Sequence, residues 1–203
     1  MIKYIKWFIY AIVDLLFNII CYITNPIVVL FANELGELPG IFKWWAQWDN
    51  CLDIDWMVYE HHVPKFAEYD FNKHYHYIDE WDAEKIIGKH HGFVILLDDN
   101  FTIKERLQRY ICRLIWMYRN CAYGFSYNVT GVKVDGADIR ELKTYTKDGY
   151  MFKVSDNAWV LRYNGKSFIK GHHWKIFLGW KMQSVKSNEV SRCMLAFCIN
   201  PLK

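Results

Sequence analysis

The chain has 203 residues, 53% of them hydrophobic and 18% aromatic, with a formal net charge of +3. That length suits one domain plus an apolar segment, and the aromatic content fits either membrane-interface belts or an aromatic core. The charge is too small to support nucleic-acid binding, and six cysteines with no CxxC pair give no support to a zinc ribbon or a thioredoxin motif.

Residues 1–32 are unlike the rest. Between Tyr4 and Ile23 only Lys6, Asp14 and Asn18 are strongly polar. As a helix this stretch is about 30 Å long, close to a bilayer's hydrocarbon core. On a wheel of about 100° per residue, Lys3, Lys6, Tyr10, Asp14, Asn18, Cys21, Thr24 and Asn25 share an arc of roughly 120°. The spacing predicts an apolar helix with one polar seam, into which Trp7 and Phe17 intrude. Asn25-Pro26 is expected to kink or end it, because proline lacks a donor and restricts its predecessor.

Three placements fit such a helix. It spans a membrane with Asp14 and Asn18 against a partner or a second copy; it lies in the interface with Trp7 and Tyr22 at headgroup level; or it is buried in a soluble domain. The first two are the expectation. If it spans, Lys3 and Lys6 favour a cytoplasmic N-terminus. Residues 1–33 then form a membrane-associated helix and 34–203 a single domain, divided at the Gly- and Pro-rich stretch 34–40.

Residues 41–56 mix Trp44, Trp45, Trp48 and Trp56 with acids, which suits an aromatic shelf. Asp49, Asp53, Asp55 and Glu60 have the offsets of an EF-hand loop, but Cys51 stands at a ligand position and Ile54 where glycine makes the turn. With His61 and His62 these acids are weak candidates for a divalent-cation site, and no cofactor is expected. Residues 82–87 suit a short helix and Phe93–Leu97 a buried strand.

The strongest internal helix signal is Ile103 to Asn120. Thr102 and Glu105 have capping-box spacing. Ile103, Leu107, Tyr110, Ile111, Leu114, Ile115 and Tyr118 make an apolar face, and Lys104, Arg106, Arg109 and Arg113 lie opposite, the arginines able to meet lipid phosphates or an acidic partner. Gly124 reads as the stop just past the helix. Beyond it the period becomes two. Residues 125–134 alternate loosely, 141–145 can pair with 150–154, Asn164-Gly165 reads as a two-residue hairpin turn, 173–182 alternate, and 192–199 read as one central strand. The fold class is therefore α+β: an N-terminal apolar helix, a capped central helix and a C-terminal antiparallel meander.

Arg113, Trp116, Arg119, Asn120, Ala122, Tyr123, Gly124, Phe125 and Tyr127 form an R-x-x-W-x-x-R-N-x-A-Y-G-F-x-Y pattern. This segment resembles an uncharacterised family of tailed-bacteriophage proteins. Trp45, Asp49, Asn50, Asp53 and Asp55 resemble a second family segment, with Ile54 in place of glycine, and the ending Asn200-Pro-Leu-Lys203 resembles a third. The resemblance implies a viral origin and a shared fold, and brings no activity.

No nucleophile elbow, P-loop, dinucleotide fingerprint or metalloprotease motif occurs. The expected function is therefore a membrane-associated, non-enzymatic phage accessory protein. It would act by protein contacts at the host inner membrane in takeover, exclusion, anti-defence or lysis support. Its candidate interaction residues are Asp14, Asn18, Arg106, Arg109, Arg113, Trp116, Arg119, Asn120 and Tyr123. The alternatives are a minor virion or ejected protein and a metal-dependent hydrolase.

Overall fold

The computed structural model describes residues 1–47, 50–52, 64–77, 90–91, 94–143 and 149–201. The chain is α+β, with an N-terminal apolar helix and antiparallel sheets. It resolves into two compact units: residues 1–16 with 126–203, and residues 17–125. Helix α1 (Ile2–Val28) contributes to both.

Helix α1 does not stop at Pro26; it continues to Val28 and then tightens into a 3₁₀ turn, Val29–Phe31. Proline has no N–H for the carbonyl four residues back, which here belongs to Tyr22. The Tyr118 hydroxyl donates to that carbonyl at 3.1 Å, and the Tyr110 hydroxyl donates to the carbonyl of Pro26 at 3.0 Å. The Tyr118 hydroxyl thus supplies the donor that the proline removes, Tyr110 satisfies a carbonyl in the helix's last turn, and the helix survives.

In the 17–125 unit, β1 (Tyr75–Tyr77), β2 (His90–His91) and β3 (Val94–Leu96) form a small antiparallel sheet in the order β1-β3-β2. Helix α2 (Ile103–Arg119) follows, with Thr102 and Glu105 bonded reciprocally in a capping box. Those bonds and the Lys73 ammonium at 2.9 Å hold the Glu105 carboxyl well below the usual carboxylate range. The α2 core partners are Val28, Val29, Leu38, Ala46 and Leu52, around buried Trp116 and Met117.

Gly124 is not the stop. Helix α2 ends at Asn120, and the left-handed conformation falls on Ala122 (φ 57°). Gly124 lies in a second short helix, α3 (Tyr123–Asn128), where its N–H donates to the Ala46 carbonyl at 2.7 Å. A Cβ there would collide with the carbonyl oxygen of Lys43. The glycine serves close backbone approach, and the loosely alternating residues 125–128 are helical.

The other unit holds a five-stranded antiparallel sheet in the order β10-β8-β7-β6-β5. Its strands are β5 (Arg140–Lys143), β6 (Tyr150–Val154), β7 (Trp159–Lys166), β8 (His173–Trp180) and β10 (Leu195–Asn200). The first four make a meander. Strand β9 (Val190–Cys193) leaves it to pair with β4 (Val132–Asp135). Residues 192–199 are therefore two strands broken at Met194, and β10 is an edge rather than a centre.

Asn164-Gly165 is not a turn either. Both residues lie within β7, paired with Lys175 and Trp174, and the chain reverses at 167–172 with Gly171 at φ 84°. The Tyr163 ring occupies the space a Cβ on Gly165 would need, and the Asn164 N–H donates to the Gly149 carbonyl at 3.0 Å. The core of this unit includes Val134, Met151, Val160, Phe177, Trp180, Met182 and Leu195, with Ala11 from α1.

If Tyr118 replaces the donor lost at Pro26, the two positions are coupled. Tyr118→Phe is expected to lower stability by about 1 kcal/mol, and by clearly less in a Pro26→Ala background, where the restored backbone N–H reaches the Tyr22 carbonyl. A double-mutant cycle from urea midpoints measures this; equal costs in both backgrounds would refute it.

Candidate functional site

The chemistry of α1 divides cleanly between its two sides. In the sheet-containing unit, the Lys3 ammonium donates to the Ser155 carbonyl at 2.6 Å and the Trp7 indole to the Ala196 carbonyl at 3.3 Å. Trp7 also packs edge-on to Trp159, with ring centroids 5.1 Å apart. Asp14 accepts from the Ser126 hydroxyl at 2.5 Å and from the Thr130 hydroxyl at 3.5 Å.

Lys181 stands in the same electrostatic neighbourhood. Burial first, and then repulsion from Lys175, pull its ammonium down to about 8, against a smaller opposing pull from Asp14. A carboxylate on an apolar helix needs donors, and here the Ser126 and Thr130 hydroxyls supply them.

In the 17–125 unit the seam continues. Phe17 stacks on Phe125 at 4.1 Å and meets Trp45 edge-on at 4.7 Å. The Asn18 carbonyl faces the Cys121 thiol at 3.8 Å. Thr24 accepts from the Trp45 indole at 2.7 Å, and Cys21 and Asn25 are fully buried. The polar seam is thus covered by the protein's own residues from its first turn to its last.

The opposite side of α1 is left open. Ile5, Ile9, Ile12, Leu16, Ile20, Ile23 and Ile27 are between 45% and 73% exposed. At about 100° per residue they centre on one line of the helix, opposite Asp14, Asn18 and Asn25. A water-soluble helix shows the reverse pattern, so this face is the candidate functional surface. The stretch Ile2–Phe31 is long and apolar enough to cross a membrane.

The arginines of α2 divide. Arg113 is only 5% exposed and donates to the Glu34 carbonyl at 3.3 Å. Arg109 lies 3.8 Å over the Phe101 ring and donates to the Tyr75 hydroxyl at 2.9 Å. Tyr75 in turn donates to the same Glu34 carbonyl. Arg106 is exposed, with Nε bonded to the Phe101 carbonyl at 3.1 Å, and exposed Arg119 lies 5.8 Å over the Trp116 ring. Trp116 is buried, Asn120 caps the helix through the Trp116 carbonyl, and half-buried Tyr123 opens α3.

The inward side of α2 therefore includes Gln108 and Arg113, while Ile103 (88% exposed) and Leu107 (60%) face outward. This corrects the expectation for Arg113, which is buried rather than outward, and for Ile103 and Leu107, which are outward rather than inner; Arg106 does lie on the exposed side. Asp49, Asp53, Asp55, His61 and His62 lie outside the described residues. Among the described residues no three His, Cys, Asp or Glu side chains group as metal ligands.

Sequence reasoning missed Ser126, Thr130 and Lys181 as the partners of Asp14. It also missed Tyr110 and Tyr118 as partners of the proline turn. Only Pro26 carried a signal, since it predicts an orphaned carbonyl at Tyr22.

A family model described as a family of unknown function, DUF7338, matches residues 1–203. No curated protein and no solved structure matches the chain.

Two outcomes test the seam. Asp14→Ala removes the carboxylate that accepts from the Ser126 hydroxyl, while Thr130 keeps its bond to the Ser126 carbonyl at 3.3 Å, and is expected to cost about 1–3 kcal/mol in thermal or urea unfolding. For Lys181 the folded-state affinity for the proton is lowered to about 8 from 10.5. Between those values the unfolded chain binds more protons, so this group makes stability rise with pH. Stability measured from pH 8 to 10.5 should rise more steeply in the wild type than in Lys181→Met; parallel curves would remove the argument.

Proposed function

Since the chain belongs to a family of unknown function over its whole length, we propose from its geometry that it is a membrane-associated, non-enzymatic protein. In this reading α1 lies along a lipid surface with its exposed apolar line immersed. One observation carries it: the helix turns its polar seam toward its own chain and its Ile- and Leu-rich line toward solvent. Each such side chain that goes from half exposed to buried contributes about 1 kcal/mol, so the residues of that line together supply enough for stable association.

The interfacial placement is preferred to spanning because protein covers the seam along the whole helix, leaving only one side for lipid. Helix α2 would then present exposed Lys104, Arg106 and Arg119, with Ile103 and Leu107, to a protein partner. With the viral origin that the resemblance of Arg109–Val134 implies, the membrane in this reading is the host inner membrane. Takeover, exclusion, anti-defence or lysis support would all fit such a protein.

The test separates lipid binding from folding. Ile9 and Leu16 are exposed, so Ile9→Asp with Leu16→Asp is expected to leave the melting temperature within a few degrees of wild type. The same pair should move the full-length protein from the carbonate-washed membrane pellet to the supernatant. Wild-type protein recovered as a detergent-free soluble species would end this reading.

A further inference from the structure

The register of four strands builds a second apolar surface. Phe152, Leu161, Leu178 and Phe197 are successive cross-strand partners in one row. Tyr150, Tyr163, Ile176 and Ile199 form the next row on the same face. Directly opposed residues in an antiparallel sheet project to one side. None of the eight is charged; Phe152, Leu161 and Leu178 lean against the core and stay partly open, and Phe197 and Ile199 are more than half exposed. Lys153, Arg162 and Lys175 belong to the alternate positions of the same strands.

The surface has two ends. At one, Trp7 packs on Phe197 with centroids 6.1 Å apart, and Tyr4 on Trp159 at 5.3 Å, so the rows continue into the first turns of α1. At the other, Trp174 meets Phe168 at 5.5 Å. Phe168 is 76% exposed at the tip of the β7–β8 hairpin, between exposed Lys166 and Lys170. Lys166 and Lys170 are the cations at this tip, and residues 157–188 contain no Asp or Glu to offset them. An uncharged aromatic face ending in an aromatic tip between lysines matches what an anionic bilayer surface takes up: rings at headgroup depth and cations at the phosphates.

We propose that this sheet face and the Phe168 tip form a second lipid contact, selective for anionic bilayers. The proposal rests on the α1 reading and extends it from general lipid affinity to lipid charge.

The experiment is co-sedimentation of the full-length protein with vesicles of phosphatidylcholine alone and of phosphatidylcholine mixed with phosphatidylglycerol. Wild type is expected to bind both, more tightly to the anionic vesicles, with the difference shrinking as salt rises. Lys166→Gln with Lys170→Gln should weaken anionic-vesicle binding roughly thirtyfold and leave neutral-vesicle binding unchanged. Phe168→Ser should weaken binding to both.

An unaltered anionic preference in the double-lysine variant overturns the proposal and leaves the α1 reading standing. Failure of wild type to bind either vesicle overturns both. A wild-type dimer in light scattering that Phe197→Ser with Ile199→Ser converts to monomer, with vesicle binding unchanged, assigns the face to a second copy and overturns the proposal.

Discussion

A carboxylate on an otherwise apolar helix must find hydrogen-bond donors, and Asp14 finds them within its own chain. The Ser126 and Thr130 hydroxyls settle which side of α1 faces inward. Once that side is fixed, helical geometry dictates the other. The residues diametrically across the helix from Asp14 are Ile and Leu, and they stay open to solvent. The exposed greasy line is therefore a direct consequence of satisfying one half-buried carboxylate. Leaving that charge unpaired would cost more than leaving several isoleucines half wet.

The same logic runs through α2. Gln108 faces inward because its amide reaches the carbonyls of Phe66 and Glu68, and Arg113 because its guanidinium reaches the carbonyl of Glu34. Irregular segments such as 33–38 and 64–69 carry carbonyls that no helix or strand ladder satisfies, and long polar side chains on a nearby helix are their natural donors. Tyr118 and Tyr110 do this for the proline turn of α1. Polar groups in this protein are largely spent on its own loop and helix-end backbone. The apolar residues they displace are sent outward.

This explains what is legible in the sequence. Length and hydropathy locate α1, and the Thr102–Glu105 spacing locates the start of α2, because both signals are local. The period-two pattern locates the strands at 150–154 and 173–180 for the same reason, though it also runs through 125–128, which are helical. Which face of a helix turns inward depends on distant partners, 79 residues away for Arg113 and Glu34 and 112 for Asp14 and Ser126. A helical wheel holds no such information. It places Ile103 and Leu107 inward because apolar residues usually are. Gly124 and Gly165 mislead in another way. Each carries a local turn signal, but in the fold each makes room, one for the Lys43 carbonyl and the other for the Tyr163 ring. Steric room beside a glycine is a tertiary property, invisible until the neighbour is known.

The helix that carries the lipid-seeking line is also a structural member. Ala11 sits in the sheet core, Lys3 and Trp7 cap the carbonyls of Ser155 and Ala196, and Phe17 stacks on Phe125. A detachable anchor would leave a domain intact behind it; removing this one would open a core and strand a buried hydroxyl at Ser126. Loss of folding on truncation is therefore what this packing requires and says nothing about lipid. The informative changes lie on the outer line, where Ile9, Leu16 and Ile23 touch solvent and their chemistry can be altered without disturbing a single internal hydrogen bond. In this architecture the attachment surface and the fold share a helix but not a side of it, so the two properties can be separated residue by residue.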